Sequence, residues 1–167
     1  MFVRLLATQR LPAVLAVVLM VSAPAAAEFQ VQFVEPERYT DAHLNRYDGP
    51  DERVLRIVEQ HLQRLASRCV DASDALHIQV LDIDLAGRQE WGRGSGAYNL
   101  RIMSEVTWPR IQVVYTLRRG MGEVIEVRQR ISDMNYLWNS AYIRADSTPL
   151  PYERVMLTNW FERTFCR

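Results

Sequence analysis

Two aspartates stand two residues apart in the otherwise apolar segment VLDIDLAG, residues 80–87. The segment predicts a β-strand on which Asp82 and Asp84 point the same way, about 6.6 Å apart along the strand axis. That separation suits two oxygen ligands of one cation, or an acid and a base that flank a scissile bond. A calcium or magnesium site needs further oxygens, however, and a zinc site needs His or Cys. Solvated carboxylates that contact Arg101 or loop amides are therefore the simpler interpretation.

A few further residues are candidates for a ligand site. Trp91 lies in the glycine-rich segment EWGRGSG, where an indole could stack on a ligand or pack against the sheet. This segment precedes a predicted strand instead of a helix, which favours a connection over a phosphate loop. Asp133 and Tyr136 could form a polar site, although Asp there commonly caps a turn. The candidate ligand-binding residues are Asp82, Asp84, Trp91, Arg101, Asp133 and Tyr136. The sequence predicts no catalytic residue, metal ligand or cofactor.

The first 27 residues have the three regions of a signal peptide. Arg4 and Arg10 supply positive charge, Leu11–Val21 is apolar, and Ala25–Ala27 fits the small-residue cleavage pattern. The apolar run is shorter than the roughly 20 residues that span a bilayer, and no later run is long enough. We therefore expect residues 1–27 to be removed on export, which leaves residues 28–167 as one periplasmic or secreted domain without a transmembrane segment.

Charge and cysteine content narrow the possible partners. All basic residues are arginine, and the predicted mature chain has 18 of them against 20 acidic residues, a net charge of −2. This balance gives no electrostatic reason to bind nucleic acid or an anionic membrane. Cys69 and Cys166 are expected to form a disulfide in an oxidising compartment, because a metal site or a cysteine nucleophile would need suitable neighbours.

Hydrophobic periodicity predicts an α+β fold with the element order β-α-β-β-β-β-α. The predicted segments are Phe29–Phe33, about Pro50–Cys69, Leu76–Leu85, Tyr98–Val106, Ile111–Leu117, Val124–Ser132 and Thr148 to about Phe165. Short connections between the last four strands favour antiparallel pairing, and the first strand can pair parallel through a right-handed crossover. We expect a two-layer sandwich with about five mostly antiparallel strands and both helices on one face.

The opposite face of this sheet should then carry charged residues. The alternation places Asp82, Asp84 and Arg101 on that open face, and Ile125, Val127 and Ile131 of the fifth strand on the helix side. Ile78 and Val80 share the phase of the two aspartates although they are apolar. Either a bulge near Val80 changes the phase, or the loop Tyr39–Gly49 covers that end of the face.

Six segments occur in an order that resembles a known family. They are VQFVEPERYTD, HLQRLASR, VLDIDLAG, PRIQVVYTL, ISDMNYL and PLPYERVMLTNWF. Together they resemble the bacterial exported family catalogued as domain of unknown function 3016, from about Val31 to Phe165. The resemblance implies an exported protein of unassigned activity and supplies no active site. Asp82, Asp84, Asp133, Tyr136, Tyr152 and Glu153 lie within the matching segments.

Three hypotheses about function follow. The leading one is a small periplasmic or secreted binding module without catalysis, with a protein or small molecule as its partner. The alternative is a hydrolase or metal-dependent enzyme that uses Asp82 and Asp84. The third is an envelope-associated protein that recognises a partner through the open sheet or an edge strand. The sequence favours a non-enzymatic role and leaves the ligand and the oligomeric state open.

Overall fold

The structure, a computed structural model, describes residues 27–44, 51–89, 101–139 and 148–166. The predicted signal peptide up to residue 26, and Trp91, lie outside these residues. The strands are β1 (Glu28–Phe33), β2 (Ala75–Asp84), β3 (Arg88–Gln89), β4 (Arg101–Ile102), β5 (Arg110–Arg118) and β6 (Val124–Ser132). The helices are α1 (Glu52–Cys69) and α2 (Pro151–Phe165), with short 3-10 helices at Pro36–Arg38 and Tyr136–Asn139.

The described residues form the predicted α+β fold, with a difference in the sheet. The main sheet has four strands in the order β1-β2-β5-β6, with β1 parallel to β2 and the other pairs antiparallel. Residues 98–100 of the predicted third strand lie outside the described residues, and the extended part of the remainder, β4, pairs with β3 and not with the main sheet. Ser104 and Thr107 explain the early end of β4. The Thr107 amide and hydroxyl both donate to the Ser104 carbonyl, at 3.0 and 3.1 Å, and this turns the chain.

Both helices pack against the same face of the sheet. Asp51 caps α1 by accepting from the Arg53 amide, and the predicted apolar stripe of α1 is buried. Phe161 of α2 contacts Phe29 of β1, and Phe165 contacts Tyr115 of β5, with edge-on rings. The α2 helix begins at Pro151, three residues after the predicted cap. Neither helix among the described residues is long and apolar enough to cross a membrane.

A disulfide joins the C-terminal ends of the two helices. Cys69 is the last residue of α1, Cys166 directly follows α2, and their Cα atoms are 4.5 Å apart. The predicted pairing of these cysteines is confirmed.

A bulge in β2 explains the change of phase before the aspartates. Ile78 and Val80 face the helices opposite Tyr115 and Val113, but the register with β5 shifts between Val80 and Asp82. Beyond the bulge, Asp82 lies opposite Gln112 and Asp84 opposite Arg110, on the open face. The bulge is therefore the correct one of the two alternatives for the phase. The segment from Tyr39 also lies against β2, because the Tyr39 hydroxyl donates to the Val80 carbonyl at 2.7 Å.

The helix layer does not cover β6 evenly. Ile131 is buried as predicted, whereas Ile125 is 54% exposed and Val127 is half-buried, so the expected burial of Ile125 was wrong. The helix α2 contacts β6 near its C-terminal half, where the Trp160 indole donates to the Gln129 side chain at 3.0 Å. One end of β6 therefore has apolar side chains on the helix side without a helix above them.

Candidate functional site

Asp82 and Asp84 have separate partners. The Asp82 carboxylate accepts from the Thr40 amide at 2.7 Å and from the Thr40 hydroxyl at 2.9 Å. Asp84 is 4% exposed and accepts from the Arg110 guanidinium, whose Nε lies 3.0 Å away, and Arg88 lies 3.8 Å from it. Both carboxylates thus hold loops and neighbouring strands to β2, as structural anchors do.

Arg101 is a mostly buried clamp at the same end of the sheet. Its two terminal nitrogens form a bidentate pair with Asp41, at 2.9 and 3.0 Å. They also donate to the carbonyls of His43, Ala86 and Gly87 at 2.8–3.2 Å. The predicted ligand-binding arginine therefore already has five acceptor atoms within the chain, and it fixes the turn after β2.

Glycine is needed in that turn. Gly87 has a φ of +79°, and a Cβ there would lie 2.7 Å from the Ile102 carbonyl oxygen. This close approach brings β4, and with it Arg101, against the end of β2.

Glu153 belongs to the same network, and its role was not predicted from the sequence. Its side chain is 3% exposed and accepts from the Ala86 amide at 2.7 Å. Burial raises the pKa of Glu153, the hydrogen bond from the Ala86 amide and the Arg101 charge oppose this rise, and the Asp41 charge adds a smaller increase. An acid just after a proline ordinarily indicates the first turn of a solvated helix, so only its place in the matching segment PLPYERV could have drawn attention to it.

The contacts of this network are those of a buried structural network that holds separate segments together. Buried acids with a raised pKa occur at catalytic sites and also in structural networks. Here Glu153 and Asp41 are bound to the Ala86 amide and to Arg101. Among the described residues, no group of three or more His, Cys, Asp or Glu side chains could hold a metal ion. The arrangement connects α2, β4 and the turn after β2.

Asp133 and Tyr136 serve different purposes. The Asp133 carboxylate accepts from the Asn135 amide at 3.0 Å, which is the turn-capping contact considered for it. Tyr136 is fully buried, and its hydroxyl donates to the Ser104 carbonyl at 2.9 Å and accepts from the Ser104 amide at 3.0 Å. Its ring meets that of Tyr152 edge-on. Tyr136 therefore locks the chain after β6, while Asp133 lies on an open surface.

That surface is a groove of about 390 Å³ between β6 and α2. Ile131, Met156 and Trp160 give it buried apolar walls, and polar residues surround them. The polar residues include Gln129, Arg130, Asp133, Asn159 and Arg163. Within the part of the chain that the structure describes, the side chains of Arg130 and Arg163 make no hydrogen bond or ion pair. Sequence periodicity predicts the two elements but not the gap between them, which depends on how far α2 reaches over β6.

The described residues thus define a disulfide-linked two-layer α+β domain with a groove beside an edge strand. The chain belongs to the family described as "Protein of unknown function (DUF3016)", which matches residues 27–163. The resemblance noted from the sequence segments is confirmed. No curated protein and no solved structure matches the chain.

Proposed function

We propose that the protein is an exported recognition module that binds an extended segment of a partner protein at the free edge of β6. The observation that carries this proposal is the position of β6. It is the last strand of the described sheet, it is nine residues long, and a groove separates it from α2. In strand addition, backbone hydrogen bonds supply affinity and neighbouring pockets take alternate side chains of the bound segment.

The side chains around β6 support this proposal. Ile125 on the strand is more than half exposed, and Trp138, shortly after the strand, is 86% exposed. Met134, which lies between groove residues Asp133 and Asn135 in the chain, is also exposed. Exposed apolar side chains thus occur at the start of β6 and in the segment that follows it, and we propose that a bound segment covers them. The arginines at the groove add donors for a carboxylate of the bound segment.

The charged residues of β6 also support this proposal, because an edge strand that binds a partner needs protection against aggregation. Free edges pair readily with other chains, and natural proteins protect them with charged residues. Glu126, Arg128 and Arg130 provide such charges on β6. They make pairing depend on the charge pattern of the partner strand.

The enzyme alternative has less support. Asp82 and Asp84 would have to give up their contacts with Thr40 and Arg110 to bind a cation or substrate. Calorimetry of the mature chain with Ca²⁺, Mg²⁺ and Zn²⁺, repeated with Asp82→Asn, tests this alternative. Ion binding that is lost in the variant would favour the enzyme hypothesis over ours.

Export is supported by the n-, h- and c-regions at the N-terminus and by the disulfide between Cys69 and Cys166. Fractionation of the producing bacterium followed by intact-mass analysis tests it. We expect a chain that begins at Glu28, outside the inner membrane, with both thiols oxidised. A chain that keeps residues 1–27 and free thiols would contradict export.

Selection from a displayed library of random peptides tests the binding site. Bound peptides should slow amide hydrogen exchange in Val124–Ser132 of the mature chain, because new backbone hydrogen bonds form there. The double variant Arg130→Glu/Arg163→Glu should bind acidic peptides more weakly. Arg56→Glu, the same change on the exposed face of α1, should bind them normally. No enrichment, or protection confined to β1, would contradict the proposal.

A further inference from the structure

We infer that the strand added to β6 is β6 of a second copy of this chain. This inference rests on the proposed function and names the partner for that site. The two copies would be related by a twofold axis perpendicular to the sheet, which passes through Val127. The two β6 strands would then run antiparallel, and each sheet would continue into the other.

The charge pattern of β6 selects this register. On the open face, Glu126 lies opposite Thr116 of β5, and Arg128 lies opposite Val114, so neither has a charged cross-strand neighbour in the described sheet. An axis through Val127 places Glu126 of each copy opposite Arg128 of the other. Opposite charges directly across an antiparallel pair stabilise it, and like charges destabilise it.

The neighbouring registers of the same symmetry are less favourable. An axis through Glu126 places that acid opposite its own counterpart, and an axis through Arg128 does the same for the arginine. A shift by a single residue would turn the apolar side of one strand towards the open face. Val127 is therefore the centre that satisfies both the charge pattern and the alternation.

The exposed apolar residues of β6 fit the same register. Val127, half-buried on the helix side, meets its counterpart at the axis. Ile125 of one copy lies opposite Gln129 of the other, which lines the groove and bonds to Trp160. The 54% exposed Ile125 side chain would thus lie beside the groove of the second copy. Pairing covers apolar surface that α2 leaves open in a single chain.

Charge reversal at residues 126 and 128 tests the inference by analytical ultracentrifugation of the mature chain. We expect the native chain to dimerise, and both Glu126→Arg and Arg128→Glu to weaken the dimer by about tenfold or more, because each creates two like-charge pairs. An equimolar mixture of the two single variants should form a heterodimer, since every facing pair is again opposite. The Glu126→Arg/Arg128→Glu double variant should dimerise as the native chain does, and Arg56→Glu serves as the control.

The oligomeric states of the native chain and of the variants distinguish the proposed dimer from the alternatives. Heterodimers from the mixed variants would support it, and they would also show that both variants fold. A native chain that stays monomeric at high micromolar concentration would overturn it, as would a dimer that ignores both reversals. If a monomeric chain nevertheless binds library peptides at β6, the proposed function stands and only the second copy is rejected as partner.

Discussion

Replacement of Glu153 offers the sharpest test of the buried network at the end of β2. Its carboxylate accepts from the amide of Ala86, which is itself 1% exposed. Glu153→Ala removes the acceptor and leaves that amide buried and unsatisfied, which costs about 1–3 kcal/mol of the free energy of unfolding. Glu153→Gln keeps an acceptor oxygen and removes only the charge. We therefore expect the Gln variant to be more stable than the Ala variant by about that amount at every pH.

The pH dependence of the native chain gives the sign of the charge effect. The pKa of Glu153 is raised above its ordinary value of 4.5, so the folded chain keeps this proton at pH values where the unfolded chain has released it. The stabilisation is fully present below 4.5 and is lost as the pH rises through the folded-state pKa. The native chain should therefore lose stability relative to Glu153→Gln over that range, by about 1.4 kcal/mol per unit of pKa difference.

Urea unfolding followed by tryptophan fluorescence, from about pH 4 to about pH 8, measures these differences. Glu162→Gln is the matched control, because it makes the same change on the exposed side of α2, near Arg68. That control should track the native curve, since exposed ion pairs contribute little. If the curves of Glu153→Gln and the native chain run parallel across the range, Glu153 does not carry the buried proton and the reasoning fails.

Three further predictions concern stability. Arg110→Ala should lower the free energy of unfolding by about 3 kcal/mol, because it leaves Asp84 buried with only the more distant Arg88. Chemical denaturation measures this loss, and a loss smaller than that expected for an exposed ion pair would contradict the prediction. Reduction of the Cys69–Cys166 disulfide should lower stability by about 4–5 kcal/mol on the chain-entropy model, and equal urea midpoints with and without reductant would refute it. Burial, assisted by nearby arginines, lowers the pKa of His61 to about 4, so stability should fall as the pH drops from 6.5 towards 4. His61→Gln should flatten that acid limb in thermal melts, and an unchanged limb would exclude His61 as its cause.

Periodicity predicted the elements that the core determines directly. Four residues of β5 are buried as the alternation required, Ile111, Val113, Tyr115 and Leu117. The helix α1 begins two residues after its predicted start and ends at the predicted Cys69. In both elements a single buried face fixes which residues are apolar, so the sequence pattern is a direct record of the packing. The pairing of Cys69 with Cys166 was predicted on a different ground, the oxidising compartment expected for an exported chain, and helices that end side by side bring the two sulfur atoms together.

Other features depend on contacts that leave no periodic signal. In the described part of the predicted third strand, hydrogen bonds between Ser104 and Thr107 compete with strand pairing after Ile102. Glu153 looks like a solvated first-turn acid, yet the turn after β2 buries it. Arg101 was expected to face solvent on a sheet strand, and it instead donates to Asp41 and to the His43 carbonyl, which connects separate segments of the chain. These roles depend on residues that are close in space but far apart in the sequence, so no local sequence pattern predicts them.

The two edges of the described sheet differ in how far the helices cover them, which is why we propose β6, and not β1, as the interaction edge. On β1 the helix-side residues Phe29, Val31 and Phe33 pack against the core, and Phe161 of α2 lies against the first of them. The described helices therefore cover β1 more fully than the start of β6, where Ile125 is the most exposed apolar side chain on the helix side. The disulfide ties the C-terminal end of α2 to that of α1. Among the described residues no helix covers the start of β6, and the proposed second copy would pair there.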